Sequence, residues 1–364
     1  MGERPSLGEE IVGRIEALAA ISETPGQLTR IFLTPEHRAG ADLILAWMRE
    51  AGMRAHLDAI GNVCGRYEGV AQGLPCLMLG SHYDTVRDAG KWDGPLGLIT
   101  AISCVSDLNR RGKRLPYAIE VVGFADEEGV RFASTLLGSR AVAGTFDESV
   151  LDGRDAAGVT MRNALRQFGL DPDHIGDAAR TRRELLAYLE LHIEQGPVLE
   201  AQDLPVGVVT AIAGATRMAA RLAGMAGHAG TVPMMLRRDA LTGAAECIGA
   251  IEEFCRTDGN GLVGTVGYID ARPGATNVIP GQVSFTIDIR APADGHRKRA
   301  VSDIVRQIEA IAKRRNLALQ LDVTHENRTV PCAPWLRAQI AQPSLRRAFP
   351  YSSCRAEQGM TAWR

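Results

Sequence analysis

The chain has 364 residues, of which 45% are hydrophobic and 23% are charged, and its formal net charge is −2. This length exceeds the usual size of one hydrophobic core and predicts about two domains. The composition is that of an ordinary globular protein. The nearly balanced charge gives no reason to expect a nucleic acid or an anionic membrane surface as a partner.

Cysteine usage and the N-terminus predict a cytoplasmic protein. The seven cysteines are odd in number, are scattered along the chain and include no Cys-x-x-Cys pair. A disulfide framework is therefore not expected, and a reducing compartment fits this usage. Residues 1–14 lack the apolar core of a signal peptide, and no run approaches the roughly 18 apolar residues that span a bilayer.

The first part of the chain has the pattern of an α/β protein. Apolar spacing predicts helices over Leu7–Ile21, Pro35–Ala51, Leu98–Leu108 and Met161–Phe168. Short strands are expected near 55–57 and 62–67, and apolar runs predict buried strands over Leu74–Leu79, Ala118–Ala125 and Leu186–Ile193. The β-α-β order puts the polar residues that follow the first two buried strands at the same edge of one sheet.

From about Gly214 the pattern changes. Alternation predicts strands over 217–222, 264–269, 283–289 and 317–323, and helical spacing predicts helices over 236–254 and 297–312. The order β-α-β-β-α-β is typical of a ferredoxin-like α+β unit. We therefore expect residues 214–328 to form a domain inserted into the first one, which resumes near Pro331.

Candidate metal ligands follow each of the three predicted buried strands. They are His82, Asp93, Glu128 and His192. Mixed imidazole and carboxylate ligands suit zinc and similar divalent ions. A carboxylate that offers two oxygens can bridge a pair of metals, and paired metals can stabilise both the attacking and the leaving atoms of a hydrolysis.

Glu127 is adjacent to Glu128, and neighbouring side chains of an extended chain point in different directions. One carboxylate can therefore bind metal while the other acts as a general base on water and then protonates a leaving nitrogen. Simpler interpretations remain open: a lone His at a strand end is commonly a structural hydrogen-bonder, an acidic turn is commonly solvated, and Asp84 could cap a turn. Four such residues after three strands favour the metal site.

Six segments give the chain a resemblance to a known family. They are Gly80-Ser81-His82-Tyr83-Asp84-Thr85-Val86, Asp93-Gly94, Ala125-Asp126-Glu127-Glu128-Gly129-Val130-Arg131-Phe132, Glu190-Leu191-His192-Ile193-Glu194-Gln195-Gly196-Pro197, Gly227-His228-Ala229-Gly230-Thr231-Val232-Pro233-Met234 and Asn277-Val278-Ile279-Pro280-Gly281. Together they resemble the N-carbamoyl-L-amino-acid hydrolase and allantoate amidohydrolase family, a branch of the dinuclear-metal aminoacylase and carboxypeptidase superfamily. The His-Ile-Glu-Gln-Gly-Pro segment is specific to the carbamoyl/ureido branch.

The resemblance implies a domain plan. A mixed-sheet metallohydrolase catalytic domain with helices on both faces would comprise residues 1–213 and 329–364. An inserted ferredoxin-like α+β lid and dimerisation domain would comprise residues 214–328. Family members close the small domain over the substrate and usually pair through it as homodimers, so a homodimer is expected.

The resemblance also implies a role for individual residues at the metal site. Asp93 matches the carboxylate that bridges two divalent metal ions, His82 and Glu128 match terminal ligands of separate metals, and His192 matches a further ligand. Glu127 matches the general base, and Asp84 matches the carboxylate that orients His82. Zinc is the expected metal, and manganese, cobalt and nickel also tolerate these ligands.

Residues of the predicted insertion match positions that contact the substrate. His228 matches a residue that helps to polarise the scissile carbonyl in the closed state. Asn277 and Arg290 match substrate-binding positions, where an arginine offers a two-pronged grip on a carboxylate. Gln195 and Arg217 are further candidates for substrate binding.

The C-terminal segment departs from the family pattern. The family carries one more metal-ligating His in a Pro-Ser-Gly-Ala-Gly-His-Asp segment, whereas the last histidines here are His296 and His325, inside the predicted insertion. Residues 342–364 have the pattern of neither a helix nor a strand. The codons they permit, read one base earlier, can spell a helix, a strand and the missing segment. We therefore expect a frame slip near residue 341, a truncated catalytic domain and weak binding of the second metal.

These features predict a metal-dependent amidohydrolase that acts on a linear carbamoyl or ureido C–N bond of a small carboxylate-bearing substrate. An N-carbamoyl-L-amino acid and allantoate are the expected substrates. One alternative is an aminoacylase or dipeptidase of the same superfamily. Another is a catalytically impaired binding or dimerisation protein, because of the altered tail.

Overall fold

The computed structural model describes residues 5–346 and 351–356, with side chains as far as residue 342. The chain divides into two compact units, and the boundary lies between Gln195 and Gly196. This boundary precedes the predicted limit at residue 213, so the domain plan stays a prediction. Within the described residues, every helix is too short or too polar to cross a membrane.

The first unit alternates helices and strands. Its helices are α1 (Leu7–Ala19), α2 (Pro35–Glu50), α3 (Pro95–Arg110), α4 (Leu137–Val142) and α5 (Met161–Phe168), with 3₁₀ turns at Glu148–Asp152 and Pro172–Ala178. Its strands are β1 (Arg54–Leu57), β2 (Val63–Tyr67), β3 (Cys76–His82), β4 (Ala118–Phe124) and β5 (Leu185–Leu189). Ser6 caps α1 and Thr34 caps α2 through their hydroxyls, because each satisfies a free N–H of the first turn.

The strands of the first unit form a mixed sheet in the order β1-β2-β4-β3-β5. Strand β3 is parallel to both β4 and β5, whereas β2 is antiparallel to β4. All seven residues of β4 are buried, because one face packs on the main hydrophobic core and the other on a smaller cluster with Val142 of α4. The predicted α/β class and mixed sheet are confirmed, and the residues after β3 and β4 share one edge.

The third buried strand is shorter than predicted. The sequence predicts a strand over Leu186–Ile193, but β5 ends at Leu189, which pairs with Leu79 of β3. The next residue, Glu190, directs its carboxylate to a hydroxyl of the neighbouring chain segment. His192 therefore lies in the loop after β5 and not on the strand.

The second unit contains the remaining elements. Its helices are α6 (Val198–Ala201), α7 (Ala240–Asp258), α8 (Asp294–Arg314) and α9 (Pro334–Arg346), with a 3₁₀ turn at Met234–Leu236. Its strands are β6 (Val206–Ile212), β7 (Gly214–Ala223), β8 (Gly227–His228), β9 (Val263–Thr265), β10 (Ile269–Arg272), β11 (Val278–Ile279), β12 (Gln282–Ala291), β13 (Ala318–Asn327), β14 (Val330–Pro331) and β15 (Tyr351–Ala356).

An antiparallel sheet with the order β10-β12-β7-β13 organises the predicted insertion. Helices α7 and α8 pack on it around a second hydrophobic core. This is the strand order that the β-α-β-β-α-β pattern predicts for a ferredoxin-like unit. The start of α7 was predicted at Leu236, but the helix begins at Ala240 because Asp239 accepts hydrogen bonds from the N–H groups of Leu241 and Thr242.

A three-stranded sheet in the second unit joins segments on both sides of the predicted insertion. Strand β6 pairs antiparallel with β14 and parallel with β15. The expectation that residues 342–364 form neither helix nor strand is wrong for those described, since α9 extends to Arg346 and β15 spans Tyr351–Ala356. Good helix formers precede residue 342, and β6 offers β15 a partner strand. The rest of the predicted tail lies outside the described residues, and the frame slip stays a prediction.

Candidate metal centre

Three of the predicted ligands converge at the carboxyl edge of the first unit's sheet. His82 ends β3, Asp93 precedes α3 and His192 follows β5. The Nε2 atoms of His192 and His82 lie 3.1 Å and 3.5 Å from Oδ1 of Asp93. One ligand atom from each residue lies within 4.8 Å of the other two, so the group has the dimensions of a metal site.

Hydrogen bonds define which nitrogen of each imidazole faces Asp93. Nδ1 of His82 lies 3.0 Å from the carbonyl oxygen of Asp84, and Nδ1 of His192 lies 2.9 Å from that of Ile193. Because a carbonyl oxygen only accepts, each neutral ring carries its proton on Nδ1 and has its lone pair on Nε2. Oδ1 of Asp93 is buried without a hydrogen-bond partner. Three lone pairs thus face one another, and a divalent cation fits this donor set.

The charges of the cluster raise the proton affinity of both imidazoles. Burial lowers the pKa of His82, but the carboxylates of Asp84 and Asp93 outweigh it and hold the pKa well above its ordinary value. Burial also opposes the rise in the pKa of His192, where the nearby carboxylate of Asp93 prevails. A metal ion must therefore compete with protons for these nitrogens.

Asp84 connects the loop after β3 to the turn after β4. Its carboxylate is buried and accepts hydrogen bonds from the backbone N–H groups of Glu127 at 3.1 Å and Glu128 at 3.2 Å. Oδ1 of Asp84 also lies 3.6 Å from Nδ1 of His82. One carboxylate therefore holds both glutamates at a fixed place beside the imidazole.

Glu127 and Glu128 form a second group with His82, again with one ligand atom each within 4.8 Å. Burial raises the pKa of Glu127 to about 8; the His82 imidazolium opposes this shift, and Asp84 and Glu128 add to it. Burial also raises the pKa of Glu128. A carboxyl group with a pKa near neutrality is suited to accept and return a proton. The turn is unusual, because Asp126 has a left-handed backbone with φ of 54°.

Gln195 contacts the cluster from the loop after β5. Its Nε2 donates a hydrogen bond of 2.6 Å to Oδ2 of Asp93, the oxygen that faces away from the imidazoles. Gln195 also has a left-handed backbone, with φ of 52°. The residue was predicted to bind substrate, and in the structure its amide is held by the predicted bridging carboxylate.

Three polar residues lie beside the cluster but were given no role from the sequence: Ser81, Tyr188 and Glu190. Glu190 accepts hydrogen bonds from the hydroxyls of Ser81 and Tyr188. The available signal was a glutamate within an apolar run, two residues before the candidate ligand His192. An apolar pattern does not reveal which hydroxyls such a carboxylate contacts.

Two of the predicted substrate residues meet within the second unit. Strand β8 pairs with β11, which sets His228 opposite Val278. The N–H of Ala229 donates to the carbonyl oxygen of Asn277 at 2.9 Å, so His228 and Asn277 lie on adjoining segments. The His228 side chain is exposed, and its Nδ1 accepts a hydrogen bond from the N–H of Gly230.

The two predicted arginines of the second unit share one carboxylate. Nε and Nη2 of Arg290 contact the two oxygens of Asp288 at 3.1 Å and 2.9 Å, and Nε of Arg217 lies 3.1 Å from Oδ2. The three residues line a cavity of about 720 Å³. The two-pronged geometry expected for Arg290 is thus present, with an internal partner that the sequence did not reveal.

An α/β unit with clustered imidazoles and carboxylates at one sheet edge is typical of metal-dependent hydrolases. A sequence profile described as Peptidase family M20/M25/M40 matches residues 78–357. The chain belongs to this family. It is 41% identical over 344 residues to an N-carbamoyl-L-amino acid amidohydrolase of Geobacillus stearothermophilus, which covers 94% of this chain and 84% of that protein.

Other relatives agree with this family assignment. The chain is 40% identical to allantoate deiminase 1 of Glycine max, over 92% of this chain and 74% of that protein. Its structure is similar to an amidase of the hydantoinase/carbamoylase family from Burkholderia multivorans, with a TM-score of 0.92 and 32% identity, over 98% of this chain and 86% of that one. The resemblance noted from the sequence is confirmed, and the chain is a hydrolase of a metal-dependent family.

Proposed function

We propose that the chain is an amidohydrolase that cleaves a linear carbamoyl or ureido C–N bond of a small carboxylate-bearing substrate. An N-carbamoyl-L-amino acid or allantoate has this chemistry. The observation that carries the proposal is the cluster of His82, Asp93 and His192 beside Glu127 and Glu128. The relatives named for N-carbamoyl amino acids and for allantoate support the substrate class.

The residues of the first unit divide the chemistry among them. His82, Asp93 and His192 would hold a divalent ion, which would act as a Lewis acid toward the scissile carbonyl. Glu127 accepts a proton from the attacking water and delivers it to the leaving nitrogen. Asp84 keeps Glu127 in place through its backbone N–H. Water and the carbamoyl group then yield an amine, ammonia and carbon dioxide.

The number and identity of the metals form part of the proposal. We expect two divalent ions, zinc or alternatively manganese, cobalt or nickel. The first would be held tightly by His82, Asp93 and His192. The second would be held by Asp93 and Glu128 and would bind weakly, because the Asp93 carboxylate already accepts the amide of Gln195 and both described groups share His82.

The second unit would supply substrate contacts. In the proposal, His228 polarises the carbonyl, Asn277 and Arg290 bind the substrate carboxylate, and Arg217 and Gln195 assist. The proposal also includes a homodimer that forms through residues 214–328 and a cytoplasmic location. Six described cysteines are free, which supports a reducing compartment.

A substrate panel tests the proposed activity. Purified protein loaded separately with Zn²⁺, Mn²⁺, Co²⁺ or Ni²⁺ is assayed for ammonia and amine release from N-carbamoyl amino acids and allantoate. N-acyl amino acids and dipeptides are the comparison substrates. Turnover confined to the ureido substrates supports the proposal, and preference for an acyl amino acid or a dipeptide overturns it.

A further inference from the structure

The loop that carries His192 is not held by strand pairing. The last pair between β3 and β5 is Leu79 with Leu189, although the parallel register would next oppose Gly80 with Glu190 and bring His82 opposite His192. The rings of the two histidines are 6.1 Å apart, both facing Asp93. Some contact other than the backbone ladder must therefore set their spacing.

Glu190 supplies that contact. Its Oε1 accepts a hydrogen bond of 2.7 Å from the hydroxyl of Ser81, the residue before His82. Its Oε2 accepts one of 2.8 Å from the hydroxyl of Tyr188 on β5, which also lies 3.3 Å from the carbonyl oxygen of Gly80. Both carboxylate oxygens are thus engaged, and the three side chains join the two segments directly before the two imidazoles.

Helix α3 closes the loop from its other side. A Cβ added to Gly97 would lie only 2.1 Å from the carbonyl oxygen of Leu191, so the absence of a side chain lets the loop approach the helix. Asp93 lies directly before the same helix. The loop of His192 is consequently held between the Glu190 contacts and the helix that follows Asp93.

We infer that Glu190 is a positioning residue for the metal centre: with Ser81 and Tyr188 it fixes His192 at the distance from His82 that a shared metal ion requires. This inference rests on the proposed metal-dependent function. Its carboxylate acts through hydroxyls and does not itself need to touch the metal or the substrate. Partners of this kind typically change metal affinity by about 10–100-fold.

Metal affinity measured without substrate tests the role. The Kd for Zn²⁺ is determined by competition with a chelator for the full chain and for Glu190→Gln, Ser81→Ala and Tyr188→Phe. We expect Glu190→Gln to weaken Zn²⁺ binding about 10-fold or more. Each hydroxyl deletion should have a smaller effect, and the combined variant should be non-additive. Glu184→Gln is the matched control, because Glu184 precedes β5 and its carboxylate accepts hydrogen bonds from the N–H and the hydroxyl of Thr181, away from both imidazoles.

A second readout separates positioning from simple stabilisation. The visible spectrum of bound Co²⁺ reports ligand geometry, and it should change in Glu190→Gln but not in Glu184→Gln. Lower thermal stability of the metal-free variants together with an unchanged Zn²⁺ Kd and Co²⁺ spectrum overturns the inference. A protein that binds Zn²⁺ as described but turns over no ureido substrate overturns the proposed function alone.

Discussion

Two carboxylates of the first unit, Glu120 on β4 and Asp93 before α3, differ in how their charge is balanced. Glu120, in the first half of β4, accepts hydrogen bonds from Nε and Nη2 of Arg180 at 3.2 Å and 2.7 Å, and Arg66 lies 3.7 Å away. Asp93, at the other edge, has Oδ1 buried and directed at two imidazole nitrogens without a hydrogen bond. The protein supplies the cation for Glu120 from its own chain, whereas the site at Asp93 has the donor set for a cation from solution.

This difference separates a structural carboxylate from a functional one without reference to any relative. A buried charge requires a partner, and an arginine from the same chain is available in every folded molecule. A carboxylate that faces imidazole lone pairs gains its partner only from a bound ion or from protons. Substitutions at the two edges should therefore affect different measurements.

The largest expected effect is on turnover, at Glu127. The Glu127→Gln variant keeps the shape of the side chain but cannot accept a proton, so kcat should fall by about 100- to 10,000-fold. Zn²⁺ affinity should change little, because the imidazoles and Asp93 remain. Steady-state kinetics at saturating Zn²⁺ measure this, and a variant that keeps more than about a tenth of the native kcat contradicts the assignment.

At the structural edge, Glu120→Gln should lower the free energy of unfolding by about 3–5 kcal/mol, because the partly buried Arg180 loses its counter-charge, whereas Arg66 keeps Glu68. Chemical denaturation measures this loss. Zn²⁺ Kd and kcat of the folded fraction should stay native. Replacement of Glu120, Arg66 and Arg180 together by apolar residues should restore much of the stability. If Glu120→Gln instead binds Zn²⁺ more weakly than the native chain, the distinction between the two edges fails.

At the metal edge, Asp93→Asn should mainly change Zn²⁺ affinity and have the smaller effect on stability. Loss of the anionic ligand should weaken Zn²⁺ binding by at least about 100-fold, the upper end of the effect of an outer partner. The free energy of unfolding of the metal-free variant should fall by less than that of Glu120→Gln, because the Asp93 side chain is less buried than that of Glu120. A loss of stability like that of Glu120→Gln would show that Asp93 is structural.

A smaller effect is expected from pH. The neighbouring carboxylates raise the pKa values of His82 and His192, so both imidazoles keep their protons to a higher pH than ordinary histidines do. Zn²⁺ must displace these protons, and its affinity should fall as pH decreases through this raised range. Calorimetry in buffers of different ionisation enthalpy should detect proton release on binding at pH values where ordinary histidines release almost none. Absence of proton release would contradict the raised pKa values.

The sequence predicted which residues meet at this sheet edge better than it predicted their surroundings, for physical reasons. Strands β3 and β4 are buried on both faces, so their apolar runs stand out and the polar residues after them mark one sheet edge. The end of β5 was missed because Leu191 and Ile193 continue the apolar alternation, whereas the strand stops where Glu190 turns to Ser81.

Contacts between residues distant in sequence account for the other differences. The pairing of Gln195 with Asp93 and of Arg217 with Asp288 depends on tertiary approach, which spacing along the chain does not encode. Strand β15 was missed because its formation depends on the partner strand β6 more than on its own residues. Local patterns thus predicted the elements, and the side-chain partners required the structure.

The left-handed backbone at Asp126 and Gln195 has a consequence for how this chain can change. Neither position holds glycine, and such a conformation typically costs about 1–3 kcal/mol in other residues. Both positions lie next to the cluster, in the turns that present Glu127 and contact Asp93. Selection of variants for heat resistance alone would favour glycine at both positions, at the expense of activity. Selection for turnover would retain Asp126 and Gln195 despite their backbone strain.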